Sequence, residues 1–176
     1  FGLTGVMGDP QMALMRQDTG AAIATNNDWG TSANQAQIRA ASAGLGAFPL
    51  LDASKDAVIL ADLPAGAYTV PTTDTVGGSC LAIVELYDAD AGPSTCRLVN
   101  ISNRGFVDLG DKIMISGFVV SAEGARTFLI RAVGPGLNST FGIPGVLADP
   151  LLTVFSGGSV ILSNDDWGTG PGAATT

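Results

Sequence analysis

Residues 1–10 read FGLTGVMGDP and residues 141–150 read FGIPGVLADP. Phe, Gly, Gly, Val, Asp and Pro are identical between them, and Leu3/Ile143 and Met7/Leu147 are conservative changes. A second pair follows in the same order: IATNNDWGT at 23–31 and ILSNDDWGT at 161–169. Phe1 and Phe141 are 140 residues apart and Trp29 and Trp167 are 138 apart, so the copies differ by two residues in the turn between the blocks. A period near 140 residues is far longer than a solenoid repeat of ~20–50 residues and is long enough for a domain with its own core. A single domain needs the segment once, and this chain has it twice. Either the chain is a window on a tandem array of such units, or separate subunits exchange the segment by strand addition. The third reading is a duplication folded into one domain.

The remaining signals are those of strands. Runs rich in β-branched and aromatic residues, bounded by Gly, Pro, Asn or Asp, fall at 11–15, 22–25, 57–61, 67–70, 80–87, 97–102, 112–122, 126–133, 151–155 and 160–163. The runs 112–122 and 126–133 flank a short Glu123-Gly124 turn and read as a hairpin. LPAG at 63–66 is a turn. One stretch, 34–45, is rich in Ala and Gln with Ile38, Ala41 and Leu45 on one face, which predicts a helix. The expected fold is all-β: an antiparallel β-sandwich or jelly roll of about eight strands with one short helix. In the domain frame this favours, 1–90 is the C-terminal part of one unit, or with 97–140 one permuted domain. Residues 91–96 (AGPSTC) are a linker and 97–176 begin the next unit. The segments 1–31 and 141–169 are equivalent.

Composition narrows the partners. Charged residues make up 14%, against ~25% for an average domain, and only two lysines occur, Lys55 and Lys112. The net charge of −8 repels a phosphate backbone and an anionic membrane surface alike. No apolar run approaches the ~18 residues that span a bilayer, so membrane insertion is not expected. Phe1 does not open a signal peptide, which is expected to have been removed or to lie outside this stretch. Cys80 and Cys96 fit one disulfide, within a unit or between units, in an oxidising compartment; the alternative is two buried thiols. With no His, the common Ser–His and Cys–His nucleophiles are excluded, and RAVGPG at 131–136 lacks the Lys-Ser/Thr of a phosphate loop. No enzymatic activity is expected. Asn100-Ile101-Ser102 and Asn138-Ser139-Thr140 match the N-glycosylation pattern, the second in an expected loop.

The runs RLVNISNRGFV (97–107), GFVVSAEGARTFLIRAVGP (117–135), ADPLLTVFSGGSVILSNDDWG (148–168), GAFPLLDASKDAVILADLPAGAYTV (46–70) and LAIVELYDAD (81–90) resemble a tandem-repeat module of very large secreted bacterial proteins. That resemblance covers nearly the whole chain and implies an extracellular or cell-surface location and a repeating architecture, with no defined activity. More distantly, the DPxLxV strand, the Asn-Asp turn and LPAGxYTV resemble the jelly-roll domains appended to secreted peptidases, in some of which the acidic turn binds calcium. Carried onto this chain, that implies calcium at Asn164, Asp165 and Asp166 with Asp149 added, since hard cations take several oxygen ligands. The bland alternative is a turn stabilised by Asn and Asp hydrogen-bonding their own backbone. The first copy reads Asn26, Asn27, Asp28, one carboxylate fewer. Phe1, Trp29, Phe141 and Trp167 are read as packing anchors at a junction between units.

The functional expectation is an extracellular structural module, its units joined end to end by strand pairing into a fibre, stalk or sheath, with copies of itself as partners. The alternative is a carbohydrate-binding or adhesin module, stabilised by calcium, which needs an exposed aromatic platform.

Overall fold

The structure, a computed structural model, describes residues 5–77, 80–90, 98–108, 112–120, 127–166 and 168. The chain divides into two compact units, Phe1–Ile101 and Ser102–Thr176. The linker expected at 91–96 lies outside the described residues.

In the first unit, β1 (Pro10–Arg16) is the central strand of a four-stranded antiparallel sheet. On one side it pairs with β2 (Ala22–Asn26), with Met12 opposite Asn26 and Leu14 opposite Ala24. A bulge between Leu14 and Met15 shifts the register so that Met15 meets Ala22. The connecting turn closes at Gly20, whose φ of 65° is costly for a residue with a Cβ. On the other side of β1 lie β3 (Tyr68–Thr69), against Met15 and Arg16, and β4 (Thr72–Asp74), against Pro10 to Met12. Pro10 begins its strand, where its missing N–H is tolerated. The chain then returns to the start of the unit: Met7 N–H donates to Leu81 O at 2.8 Å and Leu81 N–H to Gly5 O at 2.9 Å.

A 3-10 turn (Trp29–Thr31) leads from β2 into α1 (Gln35–Leu45). The helix falls where the Ala/Gln-rich stretch predicts it and ends at Gly46, a left-handed cap whose N–H reaches Ser42 O and Ala43 O. Its one buried side chain is Ile38, 3% exposed. With Leu14 at 6% and Trp29 at 3%, Ile38 completes the buried apolar core among the described residues, and all three belong to this unit.

In the second unit, α2 (Pro135–Phe141) precedes the hairpin of β5 (Leu152–Ser156) and β6 (Ser159–Asn164). Pro at the first turn and left-handed Gly142 at the end bound the helix. Gly134 is needed at its start, because a Cβ there would lie 1.9 Å from Leu147 O. The β5–β6 sheet has two strands among the described residues. Upstream, two runs fold back on each other: Asp108 N–H donates to Lys112 O at 2.9 Å and Asn103 Nδ2 to Ser116 Oγ at 2.8 Å. The Phe118 and Phe128 rings, 5.3 Å apart, bring 112–120 beside 127–133, the two sides of the expected hairpin. Its turn, Glu123-Gly124, lies outside the described residues.

The protein is mainly β, with its strands in antiparallel sheets. Among the described residues six strands and two α-helices form, where about eight strands and one helix are expected. The described parts of 57–61, 80–87, 98–102, 112–120 and 127–133 carry no strand ladder, apart from the isolated bridge at Leu81. β-propensity marks a side chain that fits a pleated surface, but a strand exists only where a neighbour supplies its hydrogen bonds. The second helix covers Asn138, so the second glycosylation pattern is helical rather than in a loop; Asn138 Nδ2 donates to Ile143 O at 2.9 Å.

Candidate functional site

The two copies of the duplicated segment form the same object. In β5–β6, Leu152 faces Asn164, Thr153 faces Ser163, Val154 faces Leu162 and Phe155 faces Val160, with the bulge between Val154 and Phe155. These pairs correspond one for one to Met12–Asn26, Ala13–Thr25, Leu14–Ala24 and Met15–Ala22, with the bulge at the same step. The two-residue difference lies in the turn: Gly157-Gly158 lies between the paired Ser156 and Ser159, where residues 17–20 lie between Arg16 and Ala21, joined by the Arg16 N–H donating to Ala21 O.

Around the first copy a built site exists. Trp29, two residues past the Asn26-Asn27 step, is buried by the segment 51–58. Its Nε1 donates to Leu51 O at 3.1 Å and Ser54 Oγ at 3.3 Å, and its backbone N–H to Asp56 O at 2.9 Å. The Arg39 guanidinium, presented by α1 and paired with Asp52, lies 5.2 Å from the ring centroid. Gly30 admits the same segment, since a Cβ there would sit 2.1 Å from Asp52 O. Asn26 bridges two directions: its Oδ1 accepts the Val58 N–H at 2.9 Å and its Nδ2 donates to Ser32 Oγ at 2.8 Å. Lys55 places its ammonium 3.3 Å from Asp9 and 3.6 Å from Asp28. The hydrogen bond to Asp9, then the charge of Asp28, raise its pKa above the ordinary lysine value.

A second small network closes the β4 end. Asp74 accepts the Val76 N–H at 3.1 Å and the Cys80 thiol at 3.2 Å, which together hold its carboxyl below the usual range. The same hydrogen bond, with burial, pushes the Cys80 thiol up. Cys80 is a free thiol here, and Cys96 lies outside the described residues.

The other sequence-derived residues are placed as follows. Asp149, Asp165 and Asp166 are exposed, and Asn164 Nδ2 donates to Asp166 O at 3.4 Å. Among the described residues these three carboxylates do not gather into a group that could hold a metal ion. In the first copy the two positions equivalent to Asp149 and Asp166 converge on Lys55 instead. Phe141 is exposed at the end of α2; Phe1 and Trp167 lie outside the described residues. No described helix is long and apolar enough to cross a membrane. A shallow depression of about 170 Å³ beside β2, lined in part by Asn26, Ser32, Asn34 and Val58, is smaller than the ~300–1,000 Å³ of small-molecule sites.

No family model, curated protein or solved structure matches this chain. The comparison that informs the site is therefore internal, between the two hairpins. The sequence marked the four strand-prone runs of the two copies, Trp29 and the Asn-Asp turn, but not the pairing of the runs, nor Lys55, Leu51 and Val58 as their counterparts. One signal was available for Lys55: it is one of only two lysines in the chain.

Proposed function

We propose that this chain is an extracellular structural module, with units joining end to end through the duplicated segment into a fibre, stalk or sheath. One observation carries the reading. Two hairpins share register and bulge, yet among the described residues further strands pair only with the first. A hairpin alone is at best marginally stable in water, so the second gains from a neighbouring unit. On this reading each completed unit is a β-sandwich or jelly roll, and the run of strand-prone segments from 98 to 133 contributes to it. Apolar burial and strand pairing supply the cohesion, with a Cys80–Cys96 disulfide as a staple within or between units. The partners are copies of the same unit, and no catalytic residue is assigned.

Negative-stain microscopy of native material should show filaments with a regular axial repeat. Dispersed monomers under native conditions would overturn the reading. Carbohydrate binding is less well supported, because Trp29, the stronger platform candidate among the described residues, is buried face and edge rather than displayed.

A further inference from the structure

The β1–β2 hairpin shows what covers a hairpin of this kind: residues 51–58 over the Trp-Gly turn, and residues 68–74 along the other edge of the first strand. We propose that the β5–β6 hairpin docks on these same residues, 51–74, of a second copy of this chain. This deepens the module reading and rests on it, by naming the surfaces that meet.

The recognition chemistry is present at each equivalent position. Asp149 and Asp166 stand where Asp9 and Asp28 receive Lys55, Asn164 where Asn26 accepts the Val58 N–H, and Gly168 where Gly30 admits the Asp52 carbonyl. The sequence supplies Trp167 at the position of Trp29. Among the described residues β5 pairs only with β6, and strand addition of the kind β3 and β4 make to β1 would use its other edge. The side chains of the second hairpin are correspondingly uncovered, Phe155 at 60% and Leu162 at 65% exposed.

The second copy's 51–74 segment already holds its own first hairpin, so docking is an exchange of like for like. Such swapping is inexpensive because each hydrogen bond and ion pair broken with the resident hairpin is remade with the incoming one. One difference favours the newcomer. Its strand carries Leu152, Thr153, Val154 and Phe155 where β1 carries Met12, Ala13, Leu14 and Met15, so it has the higher strand propensity. Donor hairpin and acceptor segment are different parts of the chain, so the contact can run head to tail along many copies, whereas reciprocal docking within a pair would close it into a dimer.

The test uses the full chain with both native cysteines replaced by serine, carrying Val58→Cys and Asn164→Cys, treated with a short bismaleimide. A concentration-dependent ladder of dimers, trimers and longer species is expected. Cross-links confined to monomers, or filaments by microscopy without any ladder, would overturn the exchange while leaving the module reading intact. A ladder without regular filaments would support the exchange and remove the fibre. As a variant that leaves the first unit untouched, Asp149→Asn/Asp165→Asn/Asp166→Asn should weaken association by roughly tenfold in sedimentation experiments at low salt. Unchanged association would count against Lys55 as the partner charge.

Discussion

The first and second hairpins are built from matching sequence with the same cross-strand pairs, and their surroundings differ almost completely. β1 lies inside a sheet, flanked on both sides, and its Leu14 is buried. Among the described residues β5 has a strand on one side, and its equivalent residue, Val154, is half-buried. Asn26 is held by a loop 32 residues away, whereas Asn164 turns back to Asp166 in its own turn. The difference teaches that the local sequence is sufficient for register, bulge and turn. Burial is supplied from elsewhere, by residues that the hairpin itself does not contain.

The sharpest way to break the comparison is to remove what only the first hairpin has. Trp29→Ala should destabilise the first unit by about 3–5 kcal/mol, read by chemical denaturation, because the indole is buried and two of its hydrogen-bond acceptors are orphaned. A loss below about 1 kcal/mol would mean that the 51–58 segment does not depend on it. Next comes the matched pair in the strands. Leu14→Ala should cost about 2–4 kcal/mol; Val154→Ala in dilute monomer should cost about 1 kcal/mol or less. Equal losses would erase the distinction between the hairpins. Amide exchange should follow the same order, with β1 protected far longer than β5 in monomer and the gap narrowing on assembly.

Smaller effects sharpen the polar contacts. Asn26→Ala should cost about 1–2 kcal/mol, since it leaves the Val58 N–H without its acceptor, and Asn164→Ala should leave the monomer unchanged. Lys55 gains protonated-state stabilisation on folding. Its contribution is therefore complete below the ordinary lysine pKa of about 10.4 and fades as pH rises through the raised folded value. Asp74 has the opposite sign: its contribution is complete above about pH 4 and is lost as pH falls through the lowered folded value. Melting temperatures of wild type and Lys55→Met should thus differ near neutrality and converge in strong alkali; the difference should shrink in salt and be indifferent to chelator. A calcium-dependent rise in melting would instead favour a metal at the acidic turn. Smallest in energy is the thiol. With Cys96→Ser in the background, Asp74→Asn should speed alkylation of Cys80 several-fold at pH 8, because the carboxylate holds the thiol protonated.

Much of this was legible in the residues. The duplication marked the strands of both hairpins, the Ala/Gln-rich stretch marked α1 to within one residue of its start, and LPAG marked a turn, where Tyr68 donates its hydroxyl to Pro64 O at 2.7 Å. The strands expected over 57–61 and 80–87 did not form, since composition describes the side chains and not whether a neighbour arrives to complete the ladder. The partners of the site escaped for the same reason: nothing near residue 29 in sequence announces Leu51, Ser54 or Asp56.

The residues alone marked one segment occurring twice, with matching strand-prone runs and a two-residue length difference in the turn between them. Those features are local: cross-strand register follows from side-chain alternation and turn length. What encloses Trp29, the 51–58 segment of its own unit, came from the tertiary structure, as did the ammonium that meets the Asp9 and Asp28 carboxylates. The tertiary structure also decided that further strands pair with one hairpin while its twin, among the described residues, pairs only within itself. Burial and charge pairing depend on segments tens of residues apart being brought together. The free energy that does so belongs to the assembled surfaces, and no stretch of sequence holds it alone.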